Sequence, residues 1–166
     1  MSSPDREPDR GRRLLLLAPL ALAACGFAPA YAPDGPGTAL RDRVAVATPD
    51  TPDGYRLRAR LEDRLGRAPT PVATLTVTPE VERDSAAVTP AGAITRYNLL
   101  GRAPWRLTAG PATLAEGEAT AFTGYSATGP LVAGRAAESD ARERLMILLA
   151  DEIATRLLLL PPGTLP

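Results

Sequence analysis

The sequence predicts an α+β fold: a two-layer sandwich in which a four-stranded, mainly antiparallel sheet carries two helices on one face, in the order β-α-β-β-β-α. Three observations predict it. Leu57, Leu61 and Leu65, and again Leu145, Leu149, Ile153 and Leu157, repeat every fourth residue, the mark of a helix with one apolar stripe. Between them, residues 71–83, 94–108 and 113–125 alternate apolar with polar side chains, the mark of strands with one wet face. Neither helix can bury its stripe alone, so both are expected on the sheet. With 166 residues and 45% hydrophobic content, the chain can build one core of ordinary size.

Taken in order, "RVAVAT" (43–48) reads as a short β-branched strand. Thr51-Pro52-Asp53 opens the first helix, with Thr as N-cap, Pro at the first helical position and an acid in the first turn. Gly66 closes it. In "PVATLTVTPEVER" (71–83), Ala73, Leu75, Val77 and Val81 share one face, while Pro79 points to an edge or a bulge. Residues 84–93 read as a loop or long hairpin turn. In the next strand, Tyr97, Leu99, Ala103, Trp105 and Leu107 face inward, with Arg96, Asn98, Arg102 and Arg106 opposite them. Ala109-Gly110-Pro111 is a turn into the last strand. "ATGPLVAGR" (127–135) reads as a loop, after which Ser139 or Asp140 caps the long closing helix, Asp140 and Glu143 resembling a capping box. Pro161-Pro162 ends it.

The amino terminus is a targeting signal rather than part of the fold. Arg10, Arg12 and Arg13 precede an apolar run, Leu14–Leu22, and two alanines follow before Cys25. This is the order of an export signal, and the run is far shorter than the ~20 residues that span a bilayer. Leu22-Ala23-Ala24-Cys25 resembles the bacterial lipobox, in which the cysteine thiol takes a diacylglyceryl group, the signal is cut before the cysteine and the new amine is acylated. Two or more acyl chains anchor stably where one does not. The expected organisation is a leader (1–24), a lipidated amino terminus and tether (25–42), an α/β domain (43–160) and a short tail (161–166). Gly26 after the cysteine is compatible with sorting to the outer membrane.

Composition excludes much. Charges balance at 19 arginines and 19 acids, with no lysine and no histidine. That balance argues against a nucleic-acid-binding face. It also removes imidazole bases, histidine metal ligands and lysine nucleophiles. The remaining pairs, Glu80/Glu82 and Glu116/Glu118, each share a strand face and read as solvated charge, so no catalytic residue, metal or cofactor is expected. Arg83, Arg96, Arg102 and Arg106 lie on or beside the expected polar face. Guanidinium suits bidentate phosphate binding, and a phosphorylated lipid head group is the partner these four would fit.

"CGFAPAY" (25–31) resembles the opening of the lipopolysaccharide-assembly lipoprotein family LptE, as do "LRARLEDRLG" (57–66), "TRYNL" (95–99) and "AAESDARERLMILLADEIATRL" (136–157). "FTGYSATG" (122–129) departs from the family pattern. The resemblance implies a lipid-anchored protein on the periplasmic side of the outer membrane, a sandwich that plugs the LptD β-barrel, aids its assembly and supports lipopolysaccharide insertion into the outer leaflet. A polar lumen suits such a mixed-charge plug. The competing expectation is a periplasmic lipid-binding or transporter-auxiliary lipoprotein.

Overall fold

A computed structural model describes residues 32–33 and 35–166. Helix α1 (Pro36–Leu40) leads into strand β1 (Val44–Ala47), helix α2 (Pro52–Leu65), strands β2 (Ala73–Val77), β3 (Glu80–Val88), β4 (Ile94–Ala109) and β5 (Ala112–Ser126), and helix α3 (Leu131–Leu158). The strands form one sheet: β1 is parallel to β2, and β2, β3 and β5 all run antiparallel to β4. The α+β sandwich is as expected, with five strands rather than four.

The extra strand comes from a break, not from an added element. Leu75 faces Leu107 and Val77 faces Trp105; beyond the break Glu80 faces Arg102 and Val81 faces Gly101. The register is therefore unchanged across Thr78-Pro79, and Thr78 N still donates to Pro104 O at 3.2 Å. Pro79 has no N–H to give the ladder, so one lane becomes two strands. The same lane is covered by β1 at one end and is a free edge at the other. β3 also continues to Val88, so the expected 84–93 loop shortens to a turn, in which Thr89 N donates to Ala93 O at 2.8 Å.

Helix α2 starts and stops as its sequence dictates. The Thr51 side chain accepts from Gly54 N at 3.0 Å, and Gly66 leaves the helix at φ 79°, a conformation that favours glycine. Leu57, Leu61 and Leu65 are buried. Helix α3, in contrast, does not start at Ser139 or Asp140. It begins at Leu131 behind Pro130, without a side-chain cap. Ser139 accepts from Arg56 Nη2 at 3.0 Å, and Asp140 pairs with Arg144 one turn on. Both are thus interior helix positions. The first turns of α3 lie at the β3–β4 hairpin end of the sheet, next to Ala127, whose N–H bonds Thr95 O at 2.9 Å.

Both helices cover the face carrying Leu75, Val77, Leu99, Ala103 and Leu107, and a single cluster with Leu57, Leu61, Leu145, Leu149 and Leu157 fills the space between the layers. The expected tether, residues 25–42, ends in α1, and Leu40 is buried in that cluster. Salt bridges stitch the helix seam. Asp151 takes Arg60 through two hydrogen bonds of 3.1 and 3.0 Å and holds Arg64 at 3.6 Å. No described helix is long and apolar enough to cross a membrane.

Candidate functional site

The face of the sheet turned away from the helices carries its charges in rows. Glu80, Glu82 and Asp84 of β3 lie opposite Arg102, Leu100 and Asn98 of β4. On the far side, Glu116 lies opposite Arg106 and Glu118 opposite Pro104. Alternation along β4 puts Arg96, Arg102 and Arg106 into one basic row between two acidic ones. At ~3.3 Å per residue that row is roughly 33 Å long. Among the described residues, Arg106 is the one member of the row at ion-pair distance from a carboxylate, Nε to Glu116 Oε2 at 3.1 Å. Both side chains are well exposed, so the pair contributes little to stability, and Arg96 and Arg102 are presented to solvent. Leu100 and Phe122, in register with each other, interrupt the charge with an apolar spot; Phe122 is 70% exposed.

Arg83 belongs to the other face. It pairs with Leu99 in register, so parity along β3 turns it toward the helix layer and away from Arg96, Arg102 and Arg106. The four arginines expected together are therefore three and one. The Arg83 guanidinium lies over the Tyr97 ring, 4.8 Å from its centroid. Tyr97 stacks on Tyr125 at 5.4 Å, and Glu138 of α3 stands 3.7 Å from Arg83. The Tyr125 hydroxyl, and after it the Glu138 charge, hold the Arg83 pKa above its ordinary value. A groove runs from this aromatic floor past Leu131 to Arg135. The charges continue inward: Glu138 also takes Arg142 at 3.4 Å, Arg142 takes Asp53 at 2.9 Å, and Asp53 takes Arg56 at 3.2 Å. Arg83 and Arg135 both line this groove, and guanidinium groups of this kind can hold a phosphate.

Glu80, Glu82, Glu116 and Glu118 are all exposed, and nothing buries either pair in the way that acid–base work at neutral pH requires. Among the described residues, no group of three or more His, Cys, Asp or Glu side chains could hold a metal. Cys25 lies outside the described residues.

The Arg83–Tyr97–Tyr125–Arg135 groove was hidden in the sequence because 127–135 read as loop. The Leu100–Phe122 spot did leave a trace: Leu100 and Phe122 break the apolar/polar phase of their strands.

The lipopolysaccharide-assembly family model, LptE, matches residues 41–157. No curated protein matches the chain. Among solved structures, a lipoprotein from Caulobacter crescentus CB15 has 24% sequence identity and a TM-score of 0.60, covering 74% of this chain and 92% of its own. Rare lipoprotein B from Shewanella oneidensis has 16% identity and a TM-score of 0.54, covering 69% of this chain and 92% of its own. Lipoprotein B from Nitrosomonas europaea has 17% identity and a TM-score of 0.51, covering 68% and 79%. These likenesses show a common fold.

Proposed function

The chain belongs to the lipopolysaccharide-assembly family LptE, and from that premise we propose that it is an outer-membrane lipoprotein. In this reading, acyl groups on Cys25 anchor it on the periplasmic side. Its sandwich occupies the lumen of an LptD-type β-barrel, aids assembly of that barrel and supports delivery of lipopolysaccharide to the outer leaflet.

The observation that carries this reading is length combined with polarity. Strand β4 has 16 residues, roughly 50 Å at ~3.3 Å each. A bilayer with its head-group regions is about 40–45 Å thick. Helix α1 lies beside the carboxyl end of α3, at the opposite end of this long axis from the β3–β4 hairpin, so an anchor upstream of α1 would hold the domain from that end. Apart from the Leu100–Phe122 spot, the outer face of the sheet carries charged and polar side chains, which suits a polar barrel interior. A lipid-carrying module would need an apolar cavity between its layers. Here Leu57, Leu61, Leu75, Leu99, Leu107, Leu145 and Leu149 fill that space and are each 0% exposed.

Arg96 and Arg102 on the open sheet face, with Arg106 beside them, and Arg83 with Arg135 around the tyrosine pair are the groups that would meet lipopolysaccharide phosphates.

Affinity purification from native outer membranes tests the reading. A β-barrel should co-purify in equal amount. Recovery of the protein with extractable lipid and no barrel would overturn it in favour of a periplasmic lipid-binding lipoprotein.

A further inference from the structure

At the end of the molecule where the described chain begins, α1, the end of α3 and the carboxyl-terminal tail enclose an apolar groove of about 160 Å³. Leu40 and Leu157 form its buried floor, at 4% and 0% exposed. Pro36 and Ala39 form one wall, and Leu160, Pro162 and Leu165 the other. Arg43 holds the tail across the groove by donating from Nη2 to Pro166 O. A second Arg43 bond, Nη1 to Ala39 O at 3.4 Å, ties the same side chain to α1. Its walls are thus drawn together from three parts of the chain, yet among the described residues nothing fills it.

The chain next to this groove is directed by a turn. Gly35 N and Thr38 Oγ1 both donate to Ala32 O at 2.8 Å, which pins Ala32 against the first turn of α1. The next residue upstream is Tyr31. Residues 26–31 read Gly-Phe-Ala-Pro-Ala-Tyr and hold two of the seven aromatic residues in the protein. A segment that served only as spacer would need no aromatic side chain. A cavity of about 150 Å³ is enough to hold a benzene ring, so the groove takes one aromatic side chain and no more. Its lining is apolar except for Arg43 and Thr164, which suits a ring with a polar tip.

We propose that the Tyr31 ring occupies this groove and docks segment 26–31 onto the base of the domain. Where Cys25 is acylated, as the proposed function holds, docking leaves only residues 26–30 between lipid and fold. The base then stays within roughly 20 Å of the bilayer surface, at ~3.3 Å per residue, and faces it. The docking itself needs no lipid and no barrel, so it can fail while the proposed function stands.

The test uses the mature chain carrying Cys25→Ser, which has neither thiol nor acyl group. Tyr31→Ala should lower the melting temperature by about 3–6 °C, as expected for losing one partly buried aromatic in a chain of this size. Tyr31→Phe should keep most of the stability. Ala39→Phe, which fills the groove from α1, should make Tyr31→Ala silent. Nuclear Overhauser contacts should join the Tyr31 ring to the Leu157 and Leu160 methyl groups. An unchanged melting temperature in Tyr31→Ala together with absence of those contacts overturns the proposal. So does a groove filled by hydrocarbon instead, seen as decanoate raising the melting temperature of the parent while Tyr31→Ala melts like the parent.

Discussion

Gly101 of β4 lies directly beneath Leu149 of α3: a Cβ at Gly101 would stand 2.9 Å from Leu149 Cδ1 and 3.1 Å from both Leu145 methyl carbons. The long helix rests on the sheet at this point because the strand offers no side chain there. Gly101→Val should therefore destabilise by roughly 1–3 kcal/mol through overpacking. At this chain length that lowers the melting temperature by about 2–4 °C per kcal/mol. Leu149→Ala made on top of it should recover part of the loss instead of adding its own full cavity cost. Thermal unfolding followed by the fluorescence of Trp105, the one tryptophan, measures both.

The two helices are held side by side at Asp151. Its paired bonds to Arg60 come first among the causes that raise the Arg60 pKa. A group whose folded pKa is raised contributes its stability fully below the unfolded value and loses it only on passing the folded one. For an arginine, which stays protonated far above neutral pH even before Asp151 raises it further, both lie above the working range. The contribution of Arg60 should then be flat from pH 5 to 9 but fall with salt. Asp151→Ala should cost about 0.5–1 kcal/mol in low salt, the pair being about a third exposed, and less in 0.5 M sodium chloride. Urea unfolding at the two ionic strengths reads the difference.

Thr51 is the cap of α2. Thr51→Ala should cost about 0.5–2 kcal/mol, and Thr51→Ser should restore most of it, because either hydroxyl can accept from Gly54 N. Circular dichroism melts of the three chains give the comparison.

The arginines separate by face. If Arg96 and Arg102 meet lipopolysaccharide phosphates, Arg96→Gln with Arg102→Gln should weaken lipopolysaccharide binding several-fold and flatten its salt dependence, without changing the melting temperature. Each lost charge-assisted contact is worth about 1.5–3 kcal/mol at most in a desolvated site. Arg83→Gln should act differently, lowering stability as well, because it lies over Tyr97 and pairs with Glu138. Equal binding by all three chains would remove the phosphate assignment.

Cys25→Ser should abolish incorporation of labelled palmitate. Label that persists in this variant would show that acylation lies elsewhere.

What the sequence made legible was local. Thr51-Pro52, the leucine spacing and Gly66 define α2 without reference to anything distant, and the strands showed through their alternation. Two features were out of reach for a physical reason. The break at Pro79 leaves the inside/outside phase intact, so a pattern of side chains cannot register a missing backbone hydrogen bond. The start of α3 carries Leu131-Val132-Ala133-Gly134 behind Gly129-Pro130, a stretch with no cap, a β-branched residue and a glycine, so nothing local marks it as helix. The face of Arg83 was within reach, since Glu80 and Glu82 set the outward parity of β3 and Arg83 is out of step with them.

The unchanged register across Pro79 has a mechanical consequence. At the α1 end the sheet is four strands wide, counting β1, β2, β4 and β5, with α2 and α3 laid over it. At the hairpin end it is three wide, and only α3 continues there, because β1 spans four residues and α2 begins alongside residues 139–142 of α3. The body is thus a wedge. Were this wedge to enter a cylindrical channel, as the proposed function holds, it would advance narrow end first and stop at its shoulder, so β1 and α2 would set both the direction of entry and the depth of seating, as the flare of a bung does.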